Sequence, residues 1–208
     1  TVNARIIPRF AKIKKKNITT DIINQYTTDL LNKGLAPKTV KDIVIILNQI
    51  LKYSGINQKL SMPKVPKNEI QILKKEEQQK LEEILLQEPT PTTFGIYFCL
   101  YTGLRIGEIC ALKWENIDLE NKKIKINKTI ARIKNPDSKS KKKTIIILED
   151  PKSVSSIREI PIPDFILSAL KQLSINTQPS HFLVTGSNKF IETRSYFNRY
   201  KKILCKAN

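Results

Sequence analysis

The chain has 208 residues, enough for one generous domain or two small ones with a buried core. Lys and Arg number 37 against 19 Asp and Glu, a formal net charge of +18. That is too one-sided for an ordinary enzyme of small metabolites and points to a polyanion, nucleic acid first, because neutralising phosphates releases condensed counterions. With no apolar run of about 18 residues and no signal-peptide pattern, the reading expects no membrane partner and a cytoplasmic protein. Cys99, Cys110 and Cys205 are too widely spaced for a disulfide framework or a paired zinc site. The single histidine, His181, has no second histidine with which to share a metal.

Taken in order, residues 1 to about 68 read as helical after a basic lead-in (Lys12, Lys14, Lys15, Lys16). Thr19 or Thr20 caps a helix with Ile22, Ile23, Tyr26, Leu30 and Leu31 on one face, stopped by Asn32-Lys33-Gly34. A second helix begins at Pro37 and carries Val40, Ile43, Val44, Leu47, Ile50 and Leu51 up to Ser54-Gly55. Lys38 and Lys41 sit at its start, where they are candidate phosphate contacts. The two prolines of residues 61–68 mark a linker. Beyond it, Leu73 to Leu86 is a charged amphipathic helix, Pro89 and Pro91 break the chain, and Thr93 to Leu100 is an apolar helical run. From Lys122 the period changes to two: residues 123–127, 144–148 and 157–162 read as short strands. Helices return over 163–173 and 192–204. The fold class is therefore α+β, with a small all-α domain over 1–68 and, over 69–208, a mainly helical domain holding a small antiparallel β-sheet.

The most informative segment is Tyr101-Thr102-Gly103-Leu104-Arg105-Ile106-Gly107-Glu108-Ile109-Cys110-Ala111-Leu112, followed by Trp114, Ile117 and Asp118. Thr102-Gly103 is expected to open a helix with Arg105 near its N-terminus and Glu108 at i+3. From the residues alone, an ordinary Arg–Glu pair on a solvated helix is an equal alternative. The segment, however, resembles the T-G-L-R-x-x-E-x-x-x-L-x-W-x-x-I-D box of the tyrosine recombinases, the phage integrase family. The resemblance implies that Arg105 is catalytic, binding the non-bridging oxygens of a scissile phosphate, and that Glu108 supports the site. A second stretch, Pro151 to Ile162, resembles the family's P-K-T-x-x-S-x-R-x-I-P-L hairpin. There Lys152 stands at the place of the lysine that protonates the leaving 5′ oxygen, with Ser153 where threonine is commoner.

The resemblance extends over nearly the whole chain. It implies a partial core-binding domain over 1–68 and a truncated catalytic domain over 69–208. Lys122, Lys125, Arg132, Lys134, Lys141 and Lys142 would form a basic strand and loop facing DNA, and Arg158 would add a further contact. It also implies double-stranded DNA as partner, a homotetramer on DNA in the full-length protein, and no cofactor or metal. The family's H-x-x-R box and nucleophilic tyrosine are expected beyond Asn208, so neither Tyr196 nor Tyr200 is nominated as nucleophile. His181 cannot start such a box, since Val184 stands where its arginine would be. On this reading the chain binds DNA without cutting it. A non-catalytic DNA-binding relative remains the alternative, and a basic RNA-binding protein explains the charge but not the spacing of either box.

Overall fold

The structure is a computed structural model and describes all residues except 59, 68, 70, 71, 88, 138, 152–155 and 208. The chain divides into two compact units, Thr1–Gln71 and Ile72–Asn208.

In the first unit a short helix α1 (Ile7–Phe10) precedes α2 (Thr20–Asn32) and α3 (Pro37–Tyr53). Thr19 caps α2, its hydroxyl accepting from the Ile22 amide, and Pro37 takes the first position of α3, where a missing N–H costs nothing. Gly34 and Gly55 follow the two helices with φ of 78°, the left-handed turn that ends a helix cheaply only at glycine. The helical spacing of Ile23, Tyr26 and Leu30 on α2 and of Val40, Val44, Leu47 and Leu51 on α3 produces one buried seam. Phe10 meets Tyr26 edge to face with ring centroids 5.0 Å apart, and the Tyr26 hydroxyl donates to the Arg5 carbonyl at 3.0 Å.

The second unit contains α4 (Lys75–Gln87), α5 (Pro91–Thr102), α6 (Ile106–Ala111), α7 (Asp164–Ser174) and α8 (Thr193–Ala207). Its strands form two antiparallel sheets rather than the single one expected. β1 (Ile117–Asp118), β2 (Lys123–Ile126) and β5 (Arg158–Pro161) make a three-stranded sheet in the order β1-β2-β5. β3 (Thr129–Lys134) and β4 (Thr144–Glu149) pair as a separate hairpin. The basic run from Lys122 is thus two strands in different sheets, because Asn127-Lys128 interrupts it.

Two expectations about helix ends are corrected. Pro91 does not break the chain but opens α5, which the reciprocal Thr90–Thr93 capping box holds. Thr102-Gly103 closes that helix instead of opening the next, since Gly103 takes the left-handed conformation at φ 63°.

The core of this unit gathers Leu81 and Leu85, Phe94 and Phe98, Ile109 to Leu112, Ile124 and Ile126, Ile166 and Leu170, and Tyr196. α5 passes its neighbours at Gly95, where a Cβ would stand 2.5 Å from Val184 Cγ1 and 2.6 Å from the Tyr196 hydroxyl. Gly95→Ala therefore overpacks the junction of α5 and α8 and is expected to cost about 1–3 kcal/mol. In a denaturant titration this should shift the midpoint with an unchanged slope, and an unshifted midpoint would contradict the packing.

Candidate active site

Leu104 is buried beneath the turn that leaves α5, and this orients Arg105, the residue that caps α6. Glu108, three residues on, reaches back: its Oε2 accepts from the Arg105 amide at 2.9 Å and its Oε1 from Arg105 Nη1 at 2.9 Å. From β5, Arg158 adds a two-pronged contact, Nη1 to Oε1 and Nη2 to Oε2, both at 2.8 Å. One carboxylate, 6% exposed, thus accepts four hydrogen bonds and carries two guanidinium groups. The cluster is left with a net charge of +1.

The two arginines are not equivalent. Arg158 is committed to Glu108 through both Nη atoms, with a further donation to the Ser156 carbonyl at 3.3 Å. Arg105 commits one Nη and keeps 72% of its side chain in solvent. Burial pushes the Glu108 carboxyl up, but the hydrogen bonds from Arg158 and from the Arg105 amide and side chain, with the Arg158 charge, outweigh it and hold the group at about 2. The same contact raises Arg158 above its ordinary value.

The backbone brings these groups together. β5 pairs with β2 so that Ile126 faces Arg158 and Ile124 faces Ile160, which puts Arg158 on the inward side with Ile160 while Glu159 points out. α6 rests on β3 at Gly107, where a Cβ would stand 2.4 Å from Thr129 Oγ1 and 3.0 Å from the Ile130 carbonyl.

The structure thus unites Arg105, Glu108 and Arg158, and gives Arg158, a candidate DNA contact, a carboxylate partner for both of its Nη atoms. The alternation Arg158, Ile160, Ile162 along the strand was the available signal that this arginine faces inward. Lys152 lies outside the described residues. Lys122 has φ 53° and an ion pair to Asp164 at 2.7 Å. Lys125 is exposed between the buried Ile124 and Ile126. Arg132 places Nε and Nη2 on Glu192 Oε1 and Nη1 on Thr144. Lys134, Lys141 and Lys142 are exposed at the far end of the β3–β4 hairpin. In the first unit Lys38 pairs with Asp42 at 3.2 Å and Lys41 is half-buried.

Tyr196 is 3% exposed and donates to the Thr92 carbonyl at 3.2 Å. Burial pushes its phenol well up. His181 accepts from the Gln178 amide through Nδ1, and among the described residues no three His, Cys, Asp or Glu groups gather as a metal site.

Residues 71–208 match the model of the phage integrase family. The chain belongs to the phage integrase family. Among curated members it is 28% identical to a XerC-like tyrosine recombinase of Caldanaerobacter subterraneus, over 89% of this chain and 54% of that protein. It is 24% identical to the ICEBs1 integrase of Bacillus subtilis, over 82% of this chain and 46% of that protein. It therefore spans about half the length of these curated relatives. Among solved structures the fold resembles the Tn1549 transposon integrase in complex with transposon right end DNA, with a TM-score of 0.74 and 18% identity, covering 98% of this chain and 70% of that one. It also resembles a lambda integrase tetramer bound to a Holliday junction, with a TM-score of 0.61 and 14% identity over 98% and 55% of the two chains. These likenesses establish the fold: helices with small antiparallel sheets.

Two predictions test the carboxylate cluster. Arg158→Ala leaves a buried carboxylate underpaired and is expected to cost about 2 kcal/mol in a denaturant titration. Because the folded carboxyl lies below its ordinary 4.5, its contribution is complete above that value and is lost as pH falls towards about 2. The difference in melting temperature between the wild type and Glu108→Gln should therefore be widest near neutrality and shrink on acidification, and a constant gap would contradict the assignment.

Proposed function

We propose that the whole protein is a site-specific tyrosine recombinase that cuts and rejoins duplex DNA, with this chain supplying the phosphate-binding part of its active site. The observation that carries the reading is Arg105, solvent-facing yet anchored through one Nη to a buried carboxylate. A guanidinium offers fixed donors in a plane and stays charged at any working pH, so it fits two non-bridging oxygens of a phosphodiester and holds the charge of a pentacoordinate transition state. Glu108 sets its direction, and Arg158 keeps Glu108 ionised and in place. A preorganised donor of this kind requires little reorganisation when the charge develops.

In the reaction, a tyrosine phenolate supplied outside this chain attacks phosphorus, a 3′-phosphotyrosyl ester forms and the bond to the 5′ oxygen breaks. Lys152, at the place of the family's hairpin lysine, gives that oxygen its proton. Attack by the freed 5′ hydroxyl of a second strand reverses the step, so bond energy is conserved without metal or nucleotide. Duplex DNA as partner is supported by the net charge of +18, and assembly as a tetramer by the lambda integrase likeness in fold. The first unit would act as core-binding domain and the second as catalytic domain.

The test uses the protein expressed from the whole gene on a nicked suicide substrate that traps the covalent complex. Arg105→Ala should lower trapping by ~10²- to 10³-fold while duplex affinity changes little. If affinity falls in parallel and neither protein forms a covalent complex, the chain is a DNA-binding relative without chemistry. An absolute requirement for Mg²⁺ or ATP would also overturn the reading.

A further inference from the structure

The β3–β4 hairpin stands apart from the three-stranded sheet, and among the described residues no third strand pairs with it. A two-stranded ribbon is marginal by itself, so its direction is set by what its faces touch. Alternation puts Ile130, Arg132 and Lys134 of β3 on one face, opposite Leu148, Ile146 and Thr144 of β4. At the root of that face Ile130 is buried and Ile146 leans on the core. At its far end Lys134 is exposed, and Lys139, Lys141, Lys142 and Lys143 follow on the exposed tip. Arg132 lies between root and tip.

Among the described residues, Arg132 is the last residue of β3 with a hydrogen bond to an element outside the ribbon. Its Nε and Nη2 donate to Glu192 Oε1, and its Nη1 donates to the Thr144 hydroxyl at 2.7 Å. Each of its three nitrogens therefore has a partner within the fold. Glu192 stands immediately before α8, and its carbonyl accepts from the Tyr196 amide of that helix at 2.9 Å. α8 is in turn tied to the start of α5 at Thr92, by the Tyr196 hydroxyl and by Arg199 Nη1 at 2.9 Å. The Glu192 side chain is 21% exposed, so its charge is partly desolvated, and a planar guanidinium on it fixes direction as a lysine would not.

We propose that Arg132 and Glu192 form a latch, in which Arg132 is a positioning residue that holds the basic ribbon tip at a fixed place relative to the Arg105 cluster. It is not itself a phosphate contact. The proposal rests on the recombinase reading above. Attraction between the tip lysines and a polyanion tolerates movement of the ribbon. Seating one phosphodiester on Arg105 does not, because small misplacements at a reacting centre cost rate.

Two measurements test the latch. In hydrogen exchange on this chain, Arg132→Ala and Glu192→Ala should each speed amide exchange over residues 129–149 about tenfold, with the first unit and α4 unchanged. The double variant should exchange no faster than either single one, since the two side chains act through each other. Exchange at the wild-type rate in either single variant, or additive effects in the double, would overturn the latch. The second measurement is covalent trapping on the nicked suicide substrate by the protein expressed from the whole gene, at saturating duplex so that affinity does not enter. A latch makes both single variants lose trapping alike, about tenfold, and the double no more than either. If Arg132 instead grips phosphate, Arg132→Ala alone lowers trapping, while Glu192→Ala frees the guanidinium and leaves trapping undiminished, which would overturn the proposal. If the wild-type protein traps no covalent complex, the recombinase reading falls, and the exchange result still decides the latch.

Discussion

The arrangement depends on one buried carboxylate shared by two guanidinium groups. Glu108 has left water almost completely, which for an isolated charge would cost several kcal/mol. Four hydrogen bonds and two positive charges offset that cost, and they fix three pieces of backbone: the residue that caps α6, the helix itself and strand β5. The ion pairs of Lys122 with Asp164 and of Lys123 with Glu159 are, by contrast, solvent-exposed and stabilise little. Glu108 therefore joins helix to sheet electrostatically and leaves Arg105 facing outwards.

Much of this architecture was legible in the residues. The 3.6-residue spacing of α2 and α3, their capping threonine and proline and the glycines after them each have a direct physical reading, and the structure follows it. The spacing from Arg105 to Glu108 was equally plain, but its meaning was ambiguous, because an i,i+3 pair also forms on any solvated helix. The deciding partner, Arg158, stands 50 residues beyond Glu108 and arrives through the β2–β5 register. Its inward side was readable from the alternation with Ile160, yet a charged residue on an inward face reads as a contradiction until its counter-charge is known. The two-sheet arrangement escaped for a similar reason: Asn127-Lys128 is a weak interruption in a run that is otherwise suited to one strand. Pro91 was misread because proline signals both the end of one helix and the first turn of the next, and Thr90 decides between them.

The cations sort into two kinds once their partners are known. Arg158 and Arg132 are bound to carboxylates within the fold and act as its fasteners. The lysines on the lead-in and at the far end of the β3–β4 hairpin have no such anchor among the described residues.

The contact at Gly107 has a mechanical consequence. With no side chain between α6 and β3, the helix leans directly on the Thr129 hydroxyl and the Ile130 carbonyl. Close-packed backbone transmits displacement with little loss, because no rotamer lies between to absorb it. The hairpin that begins at β3 ends in exposed lysines, and the helix that rests on it begins at Arg105. A side chain at residue 107 would therefore part α6 from β3 close to where that helix begins at Arg105.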